Sequence, residues 1–490
     1  MLPRLVVAGV ASGVGKTTTT IALARAMATR GLRVALFKCG PDYLDPTYHA
    51  RASGRPSHNL DGWLMGRTAL LSTFARGARD ADIAIVEGVM GLFDGASPTS
   101  EHGSTAEVAK WLGAPVVAVV DASGMARTVA AVAHGLATFD PELRLAGLIC
   151  NRVGSKGHLD LLRSASRSPP ILGGFPKEPG LSFPERHLGL RTANEETLPS
   201  SLLERWGAIA NEWVAIEALL DVARSAGAFP LVNDPAQDEP HSPSASLRLR
   251  SGPGVEPRRA WGEPSRSPQT PQQEPSFPRI GVAQDDAFHF YYDDNLWRLE
   301  QLGATLVRFS PVRDPMLPEV DGVYLGGGYP ELYAESLAAN ARMRESLRAF
   351  AVRGGPVYAE CGGLMYLTRA IRTLDGEVHP MVGLFDGEAV MRPKLQALGY
   401  VEVETQRPTV LGAAGLRFRG HQFRYSELVG PSEPAAYSVR TRRSGNAVRE
   451  GWTAHNVLAS YVHAHWASNE LAAQGFVESC ATFARERPRA

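Results

Sequence analysis

A series of short, β-rich apolar runs, separated by stretches long enough for helices, limits this chain to few folds. From Leu5 the runs are LVVA, RVALFK near Arg33, DIAIVEG near Asp82, PVVAVVD near Pro115 and LAGLIC near Leu145. Runs without polar alternation read as strands buried on both faces, the mark of a parallel sheet. Segments between them, such as TTTTIALARAMATRG with Gly31 as its stop, supply crossover helices. Repeated βαβ units follow, so the first domain is predicted to be α/β with a mostly parallel sheet.

The series is interrupted once. Between Pro235 and Pro278, 10 of the chain's 35 prolines fall within 44 residues, among Ser, Gln, Glu and Arg. Such a segment buries too little apolar area to offset its ordering entropy, which predicts a disordered linker. Buried-strand patterns resume at RIGVAQDDAF and recur at TLVRF (Thr305), DGVYLGGG (Asp321), GPVYAEC (Gly355) and NVLASYVHAHW (Asn456), so a second α/β domain is expected. The boundaries drawn from this pattern are 1–231, 232–278 and 279–490. A chain of 490 residues, 44% hydrophobic, has material for two or three cores.

Its 51 basic and 51 acidic residues cancel, so no global field draws it to nucleic acid or an anionic membrane. Cys39, Cys150, Cys361 and Cys480 are widely separated, which argues against a disulfide framework and a structural zinc site and fits a reducing cytoplasm. No apolar run has the length of a bilayer span, so neither a targeting nor a membrane segment is expected.

Between the first strand and first helix lies Ser12-Gly13-Val14-Gly15-Lys16-Thr17. There, backbone amides and a helix N-terminus can surround phosphate oxygens, with Lys16 on the β and γ phosphates and Thr17 on Mg²⁺. The usual eight-residue pattern would begin with glycine at position 10, but Val10 stands there and the glycine is Gly9. Deviant loops of this kind resemble those of the dethiobiotin-synthetase and partitioning-ATPase group. Acidic residues are expected at the strand ends beside the loop, where α/β sheets bind ligands. Asp42, Asp45, Glu87 and Asp94 are the candidates for metal coordination and positioning, and Lys38 for a charge clamp on the transferring phosphoryl group. Asn151, at the end of LAGLIC, is a candidate for the adenine edge, though an Asn after a strand usually makes a turn.

A second site is expected at Val357-Tyr358-Ala359-Glu360-Cys361-Gly362-Gly363-Leu364, where a strand runs into a cysteine, two glycines and the helical stretch LMYLTRAI. This is a nucleophile elbow carrying sulfur. Oxyanion donors are expected from Gly326-Gly327-Gly328 and the Gly362 amide. The base is expected from Ser460-Tyr461-Val462-His463-Ala464-His465-Trp466, with His463 preferred. Class I glutamine amidotransferases typically end this strand in His-Pro-Glu, so His465 stands where the orienting Glu normally sits.

Together the segments ASGVGKTT, FKCGPDYLDPTYH, GRPSHNLDGW, VEGVMGLFDG, ERHLGL, LGGGYPEL, AECGGLMYL and SYVHAHW resemble the cobyrinic (hydrogenobyrinic) acid a,c-diamide synthase family. The resemblance runs through nearly the whole chain except the linker. Departures are Cys39 in place of Val, and HQFRYS at His421 in place of a GHEFHYS-like reading. The resemblance implies a P-loop synthetase domain joined to a glutamine amidotransferase-like (flavodoxin-like) domain. It implies ATP, glutamine and a corrin polycarboxylate as ligands, Mg²⁺ as cofactor, and no nucleic acid or membrane partner. Cys361 would release ammonia from glutamine; ATP would phosphorylate an acetate carboxylate of the corrin; ammonia would then attack, once at c and once at a. Arg186 and His187 would serve either the substrate carboxylates or the domain interface. Homodimerisation stays open, as does whether the ring carries cobalt. The rivals are other tetrapyrrole amidases and, from a different class, a regulatory P-loop ATPase with a dead C-terminal domain, against which intact Cys361 and His463 argue.

Overall fold

The computed structural model describes residues 2–178, 181, 198–229, 277–430, 435–442 and 445–487. Nearly all of the expected linker, and both Arg186 and His187, lie outside the described residues.

The N-terminal elements are β1 (Arg4–Gly9), α1 (Lys16–Ala28), β2 (Val34–Cys39), α2 (Asp45–Ser53), β3 (His58–Leu60), α3 (Gly62–Gly77), β4 (Ile83–Glu87) and α4 (Thr105–Trp111). They continue with β5 (Val116–Asp121), α5 (Thr128–Phe139), β6 (Leu145–Val153), α6 (Lys156–Ala165), β7 (Ile171–Pro176), α7 (Ser200–Trp213) and α8 (Ile216–Arg224). The seven strands form one sheet in the order β3-β2-β4-β1-β5-β6-β7. Every neighbouring pair is parallel. This is the α/β architecture expected, with two strands that apolar runs do not reveal. The strand β3 is only three residues long. In β7, ILGGFP, glycine replaces the apolar run because a Cβ at Gly173 would lie 2.6 Å from Val214 Cα. The α7–α8 junction packs directly on that backbone.

Helix α1 is buried over most of its length through Ile21, Leu23 and Met27, which share a core with Leu203 and Trp206 of α7. Each such side chain contributes about 1.5–3 kcal/mol of burial. Asp61 caps α3 by accepting from Leu64 N at 2.8 Å, and Ser104 caps α4 from Glu107 N at 3.1 Å, each stabilising its helix by about 1 kcal/mol.

The C-terminal elements begin with β8 (Arg279–Ala283), β9 (Phe288–Phe290), α9 (Asp293–Gln301), β10 (Thr305–Phe309), β11 (Gly322–Leu325), β12 (Gly327–Gly328), α10 (Ala334–Ala339) and α11 (Ala341–Val352). Next come β13 (Val357–Glu360), α12 (Gly362–Leu367), β14 (Thr368–Arg372), β15 (Val378–Pro380), β16 (Phe385–Met391), β17 (Ala397–Thr405), β18 (Arg417–Arg424) and β19 (Ser426–Val429). The last are β20 (Tyr437–Thr441), β21 (Ala447–Glu450), β22 (Trp452–Ala454), β23 (Val457–Ser460), β24 (His463–His465) and α13 (Leu471–Glu486). A six-stranded sheet runs β10-β8-β11-β13-β23-β22, parallel except for its edge strand β22. Beside it lie an antiparallel sheet, β21-β20-β17-β18-β24, and a mixed four-stranded sheet, β15-β14-β16-β19, in which β14 and β16 run parallel.

Two expectations are corrected here. The helix after Cys361 ends at Leu367, and TRAIR is the strand β14. Thr368 Oγ1 bonds Met365 O at 2.7 Å, and β-branched Thr368 and Ile371 suit a sheet better than a continuing helix. The run NVLASYVHAHW is two strands in different sheets, β23 in the parallel one and β24 paired antiparallel to β18. The break at Tyr461-Val462 carries the two histidines out of the main sheet.

The two α/β units meet through aromatic and polar contacts. Tyr43 stacks on Phe290, centroids 5.0 Å apart, and lies 4.7 Å from Tyr292 and 5.1 Å from His463. Tyr400 donates to Asp61 at 2.7 Å, and Arg419 to Trp63 O at 2.8 Å. Asp294 accepts from Thr73 and pairs with Arg76. Among the described residues, no helix is long and apolar enough to cross a membrane.

Candidate active sites

The first site lies at the carboxyl ends of β1, β2 and β4, in a pocket of about 600 Å³. Its floor is the loop 12–17. Gly15 caps α1 at φ 96°, and a Cβ there would lie 2.1 Å from Asn151 Nδ2, so only glycine lets the loop take this path. The shifted glycine also has a physical reason. A Cβ at Gly9 would lie 2.8 Å from Val14 Cγ2 and 2.9 Å from Lys16 Cδ, so the lysine stem crosses bare backbone there. Lys16 Nζ donates to Ala11 O at 3.0 Å and Met90 O at 2.6 Å. Burial, and then the neighbouring Lys38, lower its pKa to about 8.

Parallel registry places Lys38 of β2 beside Glu87 of β4. Lys38 Nζ lies 2.6 Å from Asp45 Oδ2, 2.7 Å from Glu87 Oε1 and 3.2 Å from Gly88 O, so its three ammonium hydrogens are engaged. Thr17 Oγ1 donates to Glu87 at 2.6 Å and lies 3.5 Å from Asp45. Fully buried His49 adds a bond sequence reasoning did not assign: its Nε2 meets Glu87 Oε2 at 2.6 Å, and its Nδ1 meets Ser57 at 3.2 Å. Burial opposes the charge on Lys38, but Asp45 and Glu87 outweigh it and hold the ammonium above the ordinary lysine range. Burial would likewise raise Glu87, yet Lys38 and His49 hold it well below the usual carboxylate range. For Asp45, burial prevails over Lys38 and lifts it to about 6.

The remaining candidates divide. Asp42 lines the pocket, with Oδ1 accepting from Leu44 N and Asp45 N. Asp94 is not part of the pocket wall; its Oδ2 accepts from Gly91 N at 3.0 Å. Asn151 lines the pocket but donates to Val14 O at 2.8 Å, bracing the loop. Beside it Arg152, absent from the sequence candidates, donates to Gly13 O at 3.1 Å and pairs with Asp121. Among the described residues, no group of three or more His, Cys, Asp or Glu is arranged to hold a metal by itself. Thr17, Glu87 and Asp45 nevertheless offer hard oxygen donors at the phosphate end of the pocket. That set fits Mg²⁺, which is characteristically shared between one or two carboxylates and substrate phosphates.

The second site lies where β13 turns into α12. Cys361 has φ 47° and ψ −99°, a strained conformation for a residue with a side chain, and its N–H donates to Ser460 O at 2.7 Å. That bend projects the sulfur out of the sheet, 3.9 Å from Phe423 O. A Cβ at Gly362 would lie 3.0 Å from Gly328 N, and one at Gly327 would lie 2.3 Å from His463 Cε1. Gly327, Gly328, Gly362 and His463 thus meet around the elbow, and glycine is what allows the approach. Gly326 N instead donates to Tyr291 Oη at 2.8 Å.

His463 is buried, its Nδ1 without a hydrogen-bond partner among the described residues, beside His421 of β18 in the strand register. Burial, with His421 adding to it, lowers its pKa to about 3. Burial pushes the Cys361 thiol up to about 12. His465 packs on Tyr292 at 4.6 Å, with Nδ1 accepting from Ala467 N at 3.4 Å. Among the described residues no carboxylate hydrogen-bonds either imidazole. Glu360, raised to about 7 by burial, instead accepts from Ala464 N at 2.9 Å and so fixes the strand bearing both histidines.

Residues 5–189 match the CobQ/CobB/MinD/ParA nucleotide binding domain, and residues 279–471 match the CobB/CobQ-like glutamine amidotransferase domain. The chain is 48% identical to the cobyrinate a,c-diamide synthase of Leptospira interrogans, over 98% of each chain. It is 46% identical to that of Syntrophotalea carbinolica, over 98% of each. With that of Salmonella typhimurium it shares 40% identity, over 94% of this chain and 95% of the other. With a phosphate loop, a cysteine elbow and this likeness along nearly its whole length, the chain belongs to the cobyrinate a,c-diamide synthase family.

Proposed function

We propose that this protein is a glutamine-hydrolysing, ATP-dependent carbon–nitrogen ligase that amidates the a and c acetate carboxylates of cobyrinic or hydrogenobyrinic acid, in cobalamin biosynthesis. The observation that carries the reading is that the phosphate loop and the cysteine elbow converge on one short segment. Residues 40–46 bring Asp45 to Thr17 and Lys38 while laying Tyr43 against His463.

In the synthetase domain Ser12, Gly13, Val14 and Gly15 present backbone amides to the phosphates of ATP, and Lys16 offsets their charge. Thr17, with Glu87 and Asp45, would hold Mg²⁺, which would offset further phosphate charge. Lys38 holds both carboxylates in place and keeps Glu87 ionised, and His49 fixes the second oxygen of Glu87. Attack of a corrin carboxylate oxygen on the γ phosphorus yields an acyl phosphate and ADP, converting a poor leaving group into a good one.

In the amidotransferase domain the Cys361 sulfur attacks the side-chain amide of glutamine as His463 takes its proton. Gly328 N–H and Gly362 N–H donate to the oxyanion; collapse of the adduct breaks the C–N bond, with the proton returned by His463, and releases ammonia, leaving a Cys361 thioester that water hydrolyses to glutamate and the free thiol. Ammonia displaces phosphate from the activated carboxylate. In a reducing cytoplasm Cys361 stays a thiol between turnovers.

Purified enzyme incubated with ATP, glutamine and either corrin, followed by mass spectrometry, tests the reading. Two added amides per ring, at the a and c acetates, are expected. Amidation elsewhere on the ring, or none, would refute it.

A further inference from the structure

Two oppositely charged side chains beside Cys361 have no ion-pair partner among the described residues. Arg424 ends β18, one residue beyond Phe423, whose carbonyl lies 3.9 Å from the Cys361 sulfur. Its guanidinium carbon sits 4.4 Å from the centroid of the Tyr461 ring, which shares a core cluster with Cys361. One terminal nitrogen donates to Ser426 O, while Nε is buried without an acceptor among the described residues. A buried guanidinium N–H is seldom left unpaired, because its lost hydration has then not been replaced.

Glu331 is the second of the two. It follows Pro330, whose Cδ lies 3.0 Å from where a Cβ on Gly362 would stand, and is the second residue of the single turn Pro330–Tyr333, one residue beyond the Gly327-Gly328 segment. Burial lifts its carboxyl to about 7. Their charges act on the Cys361 thiol in opposite senses, Glu331 opposing its ionisation and Arg424 favouring it.

Glutamine brings a matching pair of charges, an α-carboxylate and an α-ammonium on one carbon, a short methylene chain away from the amide that reacts. We propose that Arg424 and Glu331 form the subsite for the charged end of glutamine, Arg424 binding the α-carboxylate and Glu331 the α-ammonium. A planar guanidinium matches a carboxylate with paired hydrogen bonds, and its stacking on Tyr461 fixes its plane beforehand. The subsite explains how a nearly uncharged catalytic centre selects an amino acid over other primary amides. It also gives Arg424, at the position where the family resemblance shows histidine, a role of its own. The inference rests on Cys361 being the nucleophile.

The test pairs enzyme variants with truncated substrates: L-glutamine, L-glutaminamide (no α-carboxylate) and glutaramate (no α-amino group). Ammonia release is measured with each, and amidation from ammonium salt is followed in parallel. Arg424→Met should raise KM for glutamine roughly 10- to 100-fold and erase the preference for glutamine over glutaminamide. Glu331→Gln should erase the preference for glutamine over glutaramate, and both variants should keep ammonia-dependent amidation. Arg424→Lys should recover part of the loss. An unchanged KM with lowered kcat would mean that Arg424 serves the thiolate instead, and retained discrimination in both variants, or loss of ammonia-dependent amidation, would likewise overturn the proposal. Glutamine-dependent turnover surviving in Cys361→Ser would refute the nucleophile assignment, a result separable from any of these.

Discussion

Around the phosphate loop, Lys16, Lys38, Asp45 and Glu87 sit together as buried charged groups, with Lys38 in direct contact with both carboxylates. Around the elbow, burial works the other way, leaving Cys361 a thiol and His463 a neutral imidazole at neutral pH. The difference follows from the ligands. Nucleotide phosphates are always charged, and fixed counter-charges need no rearrangement at the moment of reaction. An amide is neutral, and charge at the elbow need exist only while the amide is being cleaved. A standing thiolate would meanwhile be open to alkylation and oxidation.

The sharpest break between the two regions comes from removing one reactive group from each. Lys16→Ala or Glu87→Gln should lower amidation by about 10²-fold or more with either nitrogen source, since no activated carboxylate forms. Cys361→Ser and His463→Ala should lose glutamine-dependent synthesis to a similar degree yet recover it with concentrated ammonium at mildly alkaline pH. His465→Ala should be milder. Steady-state assays with both nitrogen sources decide this, and a Cys361→Ser enzyme that is folded but inactive with ammonia would remove the division of labour.

Stability should separate the sites next. Lys38→Met leaves Asp45 and Glu87 buried without their cation, and unfolding by urea should show a loss of about 3–5 kcal/mol. Cys361→Ser removes no charge partner and should change stability far less. Equal losses would mean that the charged network is not what distinguishes the regions.

The smallest effect is in pH. The pKa of Lys16 is depressed to about 8, so as pH rises past that value the free enzyme loses the positive charge that nucleotide needs. Nucleotide binding then requires proton uptake, and affinity should fall by up to about tenfold per pH unit above 8, measurable by titration calorimetry in buffers of different ionisation enthalpy. Lys16→Arg should bind without that slope.

Much of this was legible in the sequence for a simple reason: short apolar runs and glycine punctuation are local signals. Five of seven strands in the first sheet, the loop at Lys16 and the elbow at Cys361 all announce themselves within about ten residues. The bond between His49 and Glu87 does not, because it depends on α2 lying over β4, 38 positions away in the chain. Nor does the contact of Tyr43 with His463, formed between domains. The same limit explains the strand break at Tyr461-Val462, where a continuous apolar run is divided by pairing with β18, whose partner residues precede it by more than forty positions.

Tyr43 has a last consequence, for modularity. Its ring belongs to the nucleotide-binding half, yet its neighbours Phe290, Tyr292 and His463 all come from the other half. A chimera that joins this N-terminal half to a relative's amidotransferase half therefore inherits a mismatched seam unless those three aromatic positions travel with the graft. Substitutions at 43 and 290, whose rings stack across the seam, are expected to be tolerated jointly more often than singly.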